Sequence, residues 1–220
     1  MAVFAHPDDE TFICGGTLAK YAQAGERVVL VCATKGEMGR RMGIPPTATR
    51  ETLPALRDVE LREACAALGV AELKYLGLRD KTLEIQPFDE LVQTVLAHLR
   101  KETPERVVTF HERLGGHADH CTIGRAATRA FSIYQQEHPE ASLFFVAWNA
   151  MVSEPEQYGL HSSELIRVDV REQLPAKLRA FRAHRTQSGM NAWLWQSNEQ
   201  SQKKLAAQEF FIRFDKTGTI

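Results

Sequence analysis

The stretch AHPDDE, residues 5 to 10, sets His6, Asp8, Asp9 and Glu10 directly behind a short apolar run. Three consecutive acids repel one another. Either they form a solvated turn that caps a helix N-terminus, or something positive holds them together. More than a hundred residues later HADH (117–120) supplies His117, Asp119 and His120. Imidazoles and carboxylates in this number suit a catalytic divalent metal such as zinc, which takes three protein ligands and leaves a further position for water. The metal acidifies that water while another carboxylate removes its proton. The residues alone leave open which acid ligates and which acts as base. Taken singly, HPDDE reads as a cap and each histidine as a satisfied polar side chain, so the metal reading requires the two segments to meet.

The alternation of elements supplies a meeting place. AVFA (2–5) reads as a buried strand, followed by a helix from about Phe12 to Ala24 with Gly25 as its stop, then the strand RVVLVCAT (27–34). Thr52-Leu53-Pro54 offers a cap and an early proline for a helix with Leu56, Val59 and Leu68 on one face and Gly69 at its end. LKYLGL (73–78) is a third strand. Phe88, Leu91, Val92, Val95, Leu96 and Leu99 have amphipathic helical spacing, and RVVTF (106–110) follows as a strand. A helix over TIGRAATRAFSIY (122–134), strands SLFFVAW (142–148) and LIRVDV (165–170), and a helix LPAKLRAFRAH (174–184) complete the series. The segment after Gly189, including NAWLWQSNEQSQKKLAAQEFFIRF, gives no clear element.

This pattern predicts an α/β fold with a Rossmann-like, mostly parallel sheet covered by helices on both faces. In the order 3-2-1-4-5, the first and fourth strands are neighbours, and the loops HPDDE and GGHADH meet at the switch point where ligands bind. The long connection KGEMGRRMGIPPTATRET (35–52) has the length of a functional loop and suits a substrate cover.

With 220 residues, a formal net charge of -1 and 25% charged residues, the chain reads as one domain (1–220) without a nucleic-acid footprint. Small-molecule chemistry is the expectation. Cys14, Cys32, Cys65 and Cys121 lie far apart, and neither a signal peptide nor a membrane span is predicted, so a reducing cytoplasm fits. Cys32 and Cys65 suit core positions, whereas the roles of Cys14 and Cys121, beside the two motifs, stay open. CGGT lacks the spacing of a dinucleotide fingerprint. Trp193 and Trp195 suit a pocket wall, a subunit contact or core packing.

AHPDDE, GGTLA, GEMG, RDVEL leading to ACAALGV, LGLRD and HADH, in that order, make the chain resemble the LmbE or PIG-L type zinc N-acetylglucosaminyl deacetylases over most of residues 1–188. GEMGRRMG, RETLPALR, LGLRDKTLE and AHRTQSGM are most similar to the bacillithiol-pathway deacetylases that act on N-acetylglucosaminyl malate. The resemblance implies His6, Asp9 and His120 as metal ligands and Asp8 as general base. It also implies His117 as oxyanion partner or general acid and Asp119 as the group orienting a neighbouring histidine. Zinc is the implied cofactor, with ferrous iron the alternative in the cell. An acetamido sugar would be hydrolysed to acetate and a free amine, and a homo-oligomer is expected.

Glu37, Arg57 and Asp80 match positions that line the family's sugar pocket. Read without the resemblance, Glu37 is a loop acid, Arg57 part of an exposed helix face with Glu60, and Asp80 a turn cap. Arg50 and Lys81 are candidates for a malate carboxylate, since guanidinium binds carboxylate bidentately. Three departures from the family stand out. HADH has alanine where proline is usual, Gly115 stands where some relatives place an assisting tyrosine, and the first strand begins so near Met1 that a few residues of the usual start are expected to be missing or replaced. Within the same class, the runners-up are another acetamido sugar and a thiol-conjugate amide. A non-haem iron oxygenase and a non-catalytic metal or sugar-binding module are the readings from other classes.

Overall fold

The computed structural model describes residues 1–215. Its strands are β1 (Ala2–Phe4), β2 (Val29–Thr34), β3 (Glu72–Leu78), β4 (Arg106–Thr109), β5 (Ser142–Ala147), β6 (Leu165–Asp169) and β7 (Gln208–Arg213). The helices are α1 (Asp9–Gln23), α2 (Leu53–Leu68), α3 (Phe88–Glu102), α4 (Ala118–Glu137), α5 (Asn149–Ser153), α6 (Leu174–Ala183), α7 (Arg185–Ser188) and α8 (Asn198–Gln202). The strands form one sheet in the order β3-β2-β1-β4-β5-β7-β6. β1 with β4, β2 with β3 and β4 with β5 pair in parallel, while β7 runs antiparallel to β5. The expected α/β architecture and the order of the first five strands are both present. β7 lies in the segment that gave no clear element: QEFFIR is a short apolar run, and only pairing with β5 makes it a strand.

Two compact units divide the chain, one of Met1–Phe4, Lys81–Val168 and the segment from Phe210, the other of Ala5–Asp80 and Asp169–Glu209. In the first unit, α3 buries Leu91, Val92, Val95, Leu96 and Leu99, as its spacing requires, and packs on α4. α4 starts at Ala118, four residues before the expected TIGRAATRAFSIY, so His117 becomes its N-cap and Asp119 and His120 stand in its first turn. Gly124 lets this helix approach β4, because a Cβ there would lie 2.3 Å from the Phe110 carbonyl oxygen.

In the second unit, α1 begins at Asp9 rather than near Phe12 and is interrupted at Cys14 (φ -139, ψ 22). The Glu209 carboxylate caps the restarted helix, accepting from the Gly16 and Thr17 amides at 2.9 and 2.7 Å while paired with Lys177 at 2.5 Å. α2 differs from its expected face: Val59 is 48% exposed, whereas Arg57 and Glu60 are buried at 3% and 0%. Helical geometry permits this because Arg57, Glu60, Leu61 and Ala64 follow the three-and-four spacing. Polar partners described below make their burial tolerable. Trp193 packs on a cluster of Leu178, Phe181, Leu194 and Leu205, and Trp195 is 45% exposed.

The close approach at Gly124 generates a test. Gly124→Ala is expected to destabilise the fold by about 1–3 kcal/mol despite alanine's better helix propensity, because the contact is with backbone. Urea unfolding measures this, and an unchanged or raised midpoint would show that α4 can shift to admit a methyl group.

Candidate active site

Where β1 ends, the chain enters the acidic motif of the second unit. Asp9 Oδ2 accepts from the backbone amides of Ala5 (3.2 Å) and His6 (2.8 Å) and lies 3.7 Å from His6 Nδ1. His6 Nε2 stands 3.2 Å from Asp80 Oδ1. The other oxygen of Asp80 accepts from the Met38 amide at 2.9 Å. Burial pushes the Asp80 carboxyl up, but the His6 hydrogen bond and charge, with the Met38 amide and Arg57, outweigh it and hold the group below its usual value.

Asp8 occupies the left-handed region (φ 108, ψ -24), a conformation that residues with a Cβ adopt at a cost. Its amide donates to Glu10 Oε2 at 3.0 Å. Arg57 donates to Asp8 Oδ2 at 3.1 Å and also to the carbonyls of Pro7 and Gly36. Gly36 (φ +66) is required here, since a Cβ would fall 1.9 Å from Arg57 Nη1. Desolvation pushes the Asp8 carboxyl up to about 6; Arg57 opposes the shift, and neighbouring Asp9 adds to it. Glu10 is itself tied to His184, with 2.7 Å between Oε1 and Nε2 and both side chains buried. Burial alone would lower the His184 pKa, but Glu10 leaves it raised.

The first unit holds the second motif. His117 Nδ1 accepts from the Asp119 amide at 3.2 Å, so the neutral ring carries its proton on Nε2. His120 Nδ1 lies 2.9 Å from the Gly115 carbonyl oxygen. A carbonyl only accepts, so Nδ1 holds the proton and Nε2 keeps the lone pair a metal needs. The His120 ring stacks on Phe110 at 3.9 Å, and Trp148, stacked on Phe110, donates to the Leu114 carbonyl at 3.0 Å. His111 accepts from the Arg113 and Leu114 amides, both at 3.2 Å, and its burial holds its pKa low. Aromatic faces and a neutral histidine thus shape the loop that carries His117. At Gly115 a Cβ would meet His120 Cβ and the Cys121 amide nitrogen at 2.9 Å, so this loop has no room for the tyrosine of some relatives. Asp119 is fully buried and accepts from the Lys81 (2.6 Å) and Leu83 (3.2 Å) amides, holding Lys81 at φ 64.

Residues able to ligate a divalent ion are His6 and Asp80 in one unit and His117, Asp119 and His120 in the other. Imidazoles oriented by hydrogen bonds and carboxylates anchored by backbone amides fit a transition metal such as zinc. A family model described as PIG-L: GlcNAc-PI de-N-acetylase matches residues 1–131. The chain belongs to the PIG-L family. It is 37% identical over 191 residues to the probable N-acetyl-α-D-glucosaminyl L-malate deacetylase 2 of Bacillus cereus, covering 86% of this chain and 83% of that protein. To the 1D-myo-inositol 2-acetamido-2-deoxy-α-D-glucopyranoside deacetylase of Actinosynnema mirum it is 35% identical over 228 residues, covering 85% and 80%. Among solved structures, N,N'-diacetylchitobiose deacetylase from Pyrococcus horikoshii matches with a TM-score of 0.71 and 22% identity over 97% of this chain and 82% of that one. That likeness shows the shared fold.

The PIG-L match spans every residue singled out by sequence for chemistry, from His6 to His120, but stops before His184. Glu37 and Asp80 are linked, because Glu37 Oε2 accepts from the Asp80 amide at 3.0 Å, while Arg57 is bound to Asp8, Pro7 and Gly36. Arg50 donates to the carbonyls of Glu37 and Gly39 at 3.0 and 2.8 Å, stapling the long loop after β2. Farther along that loop, Arg41 and Gln187 exchange hydrogen bonds. Lys81 has an exposed side chain. Sequence reasoning did not assign roles to Glu10, His184, Glu60, Thr186, His111 or Trp148. Glu60 accepts from the Thr186 amide (2.8 Å) and hydroxyl (2.6 Å), joining α2 to AHRTQSGM. The available signal was that motif, whose partners lie over a hundred residues earlier.

The raised Asp8 pKa sets a pH dependence in the metal-free PIG-L protein. The folded state binds the Asp8 proton more tightly than the unfolded chain, so this group's contribution to stability falls as pH rises from its ordinary value of 3.8 through about 6. Asp8→Asn is therefore expected to gain about 3 kcal/mol relative to wild type between pH 3 and 7. Parallel denaturant titrations measure the difference, and a pH-independent difference would contradict the cause given.

Proposed function

We propose that this PIG-L chain is a metal-dependent N-deacetylase that hydrolyses N-acetylglucosaminyl malate to acetate and a free amine in bacillithiol biosynthesis. The observation that carries the reading is Asp8, a carboxylate held in a left-handed turn by Arg57 and Glu10, next in sequence to residues suited to a metal. The relative from Bacillus cereus supports the substrate. β1 and β4 are parallel neighbours, and the chain leaves one into HPDDE and the other into HERLGGHADH, as a single switch-point site requires.

In this reading His6, Asp9 and His120 hold zinc, with ferrous iron as the other occupant such donors accept. The bound metal supplies Lewis-acid polarisation of the acetyl carbonyl and a water of lowered pKa. Asp8 accepts the proton of the attacking water, and Arg57 keeps its carboxylate oriented. His117 presents Nε2–H to the carbonyl oxygen as negative charge develops there. The carbon–nitrogen bond then breaks as the departing nitrogen takes a proton, from Asp8 or from a protonated His117. Asp119 fixes His117 through its own backbone amide and shapes the Lys81 turn with its carboxylate. Glu37 and Asp80 line the sugar pocket, Arg57 serves that pocket through Asp8, and Arg50 and Lys81 face the malate carboxylates.

The chain acts as one cytoplasmic deacetylase domain that assembles with its own copies. No helix among the described residues is long and apolar enough to cross a membrane.

The test is free amine released by the zinc-loaded protein from N-acetylglucosaminyl malate, N-acetylglucosamine and 1D-myo-inositol 2-acetamido-2-deoxy-α-D-glucopyranoside. Selective release from the malate glycoside is expected, and Asp8→Asn should keep its metal while losing about 10²- to 10⁴-fold in kcat. A near-normal Asp8→Asn rate would overturn the base assignment. Preference for the inositol glycoside would overturn the substrate, and no release from any of them would favour thiol-conjugate amides or a binding role.

A further inference from the structure

The buried Glu10–His184 pair has no part in the mechanism above, yet it ends on the backbone of the base. Glu10 is 1% and His184 0% exposed, so neither is placed to meet substrate. Their link joins the first turn of α1 to the residue that follows α6, 174 positions away in sequence. Every oxygen of Glu10 is directed. Oε1 accepts from His184 Nε2 at 2.7 Å and from the Thr11 hydroxyl at 2.5 Å, and Oε2 accepts from the Asp8 amide at 3.0 Å. A carboxylate that accepts hydrogen bonds on both oxygens has its plane fixed.

The Asp8 amide needs such a partner because its backbone stands at φ 108. A residue with a Cβ persists in that region only where its surroundings over-determine it. Two tethers do so here: Arg57 grips the Asp8 carboxylate and the Pro7 carbonyl, and Glu10 grips the Asp8 N–H. Glu10 is a long, flexible side chain, and without His184 its Oε1 would lose the ring that anchors it. His184 is held in turn, since its carbonyl accepts from the Gln187 and Ser188 amides at 3.0 and 2.8 Å and its ring meets Phe12 edge-on.

We infer that His184 is a positioning residue for the catalytic base: by fixing Glu10 it holds the Asp8 backbone in its left-handed turn and so aims the Asp8 carboxylate. This rests on the reading of Asp8 as base. It gives AHRTQSGM, which lies outside the matched family segment, a task in the reaction without any contact with substrate.

The test is a mutant cycle on the zinc-loaded protein, with kcat, KM, metal content and melting temperature read for each variant. His184→Leu is expected to lower kcat about 10- to 100-fold, the scale of a small misplacement of a reacting group, with KM and metal content within about twofold of wild type. His184→Gln, whose amide can still donate to Glu10, should recover most of the loss. In an Asp8→Asn background His184→Leu should lower the residual rate by less than about twofold, since there is no base left to aim. If His184→Leu does not fold, Glu10→Gln replaces it in the cycle. Its single acceptor oxygen cannot serve both the Asp8 amide and His184, and the same fall in kcat is expected.

Three results would overturn the inference: a wild-type kcat in the disrupted variant, an equal fall in the Asp8→Asn background, or a His184→Gln variant as slow as the disrupted one. A near-normal rate for Asp8→Asn alone is a different failure, because it removes the base reading and this inference with it.

Discussion

Asp8, Asp9, Glu10 and Asp80 place four carboxylates in one unit, and all but Asp8 are less than a tenth exposed. Charge at that density and depth is unfavourable unless each group has its own donors. The chain supplies them separately: backbone amides to Asp9, Arg57 to Asp8, His184 to Glu10, and His6 with the Met38 amide to Asp80. Much of the local architecture follows from that requirement. Arg57 must be buried, so α2 turns a charged face inward. Gly36 must lack a side chain, so that the guanidinium can reach past it. The interrupted α1 needs Glu209 at its restart, and Glu209 in turn needs Lys177.

Asp8 is the group least satisfied by this arrangement, and it is the one assigned to move a proton. Asp80 has its pKa lowered and the oxygens of Asp9 and Glu10 are committed to donors, while desolvation leaves Asp8 with a raised pKa beside a single arginine. Environments that separate the behaviour of adjacent carboxylates are how one site obtains both ligands and a base. On the other motif the same separation is made by tautomer. His117 offers an N–H because its Nδ1 accepts, and His120 offers a lone pair because its Nδ1 donates.

The parts of the fold that sequence made legible are those fixed by local periodicity. α3 is an example, with its apolar residues at three-and-four spacing and its charged residues outward. The parts that stayed hidden depend on distant partners. β7 is a strand because β5 offers it an edge, and nothing within QEFFIR distinguishes it from a helix turn. Val59 looked like a core residue by hydrophobicity, but Arg57 and Glu60 outcompete it because their polar partners, the Pro7 and Gly36 carbonyls and Thr186, lie elsewhere in the chain. In the candidate site, the side chains that could serve a metal were readable from HPDDE and HADH. Their division of labour came from resemblance, since Asp8 and Asp9 are chemically alike until backbone amides and Arg57 tell them apart.

We propose that HPDDE and HADH serve one metal through His6, Asp9 and His120. Titration of the metal-free protein with zinc against a chromophoric chelator tests it most directly, comparing wild type with His6→Ala, Asp9→Ala, His120→Ala and Asp80→Asn. One tight zinc per chain is expected in wild type, and its loss in each of the three alanine variants. Asp80→Asn, which loosens the orientation of His6 through their 3.2 Å contact, should weaken binding by about 10- to 100-fold. Wild-type affinity in His120→Ala would contradict the claim, because the two motifs would then not share a metal.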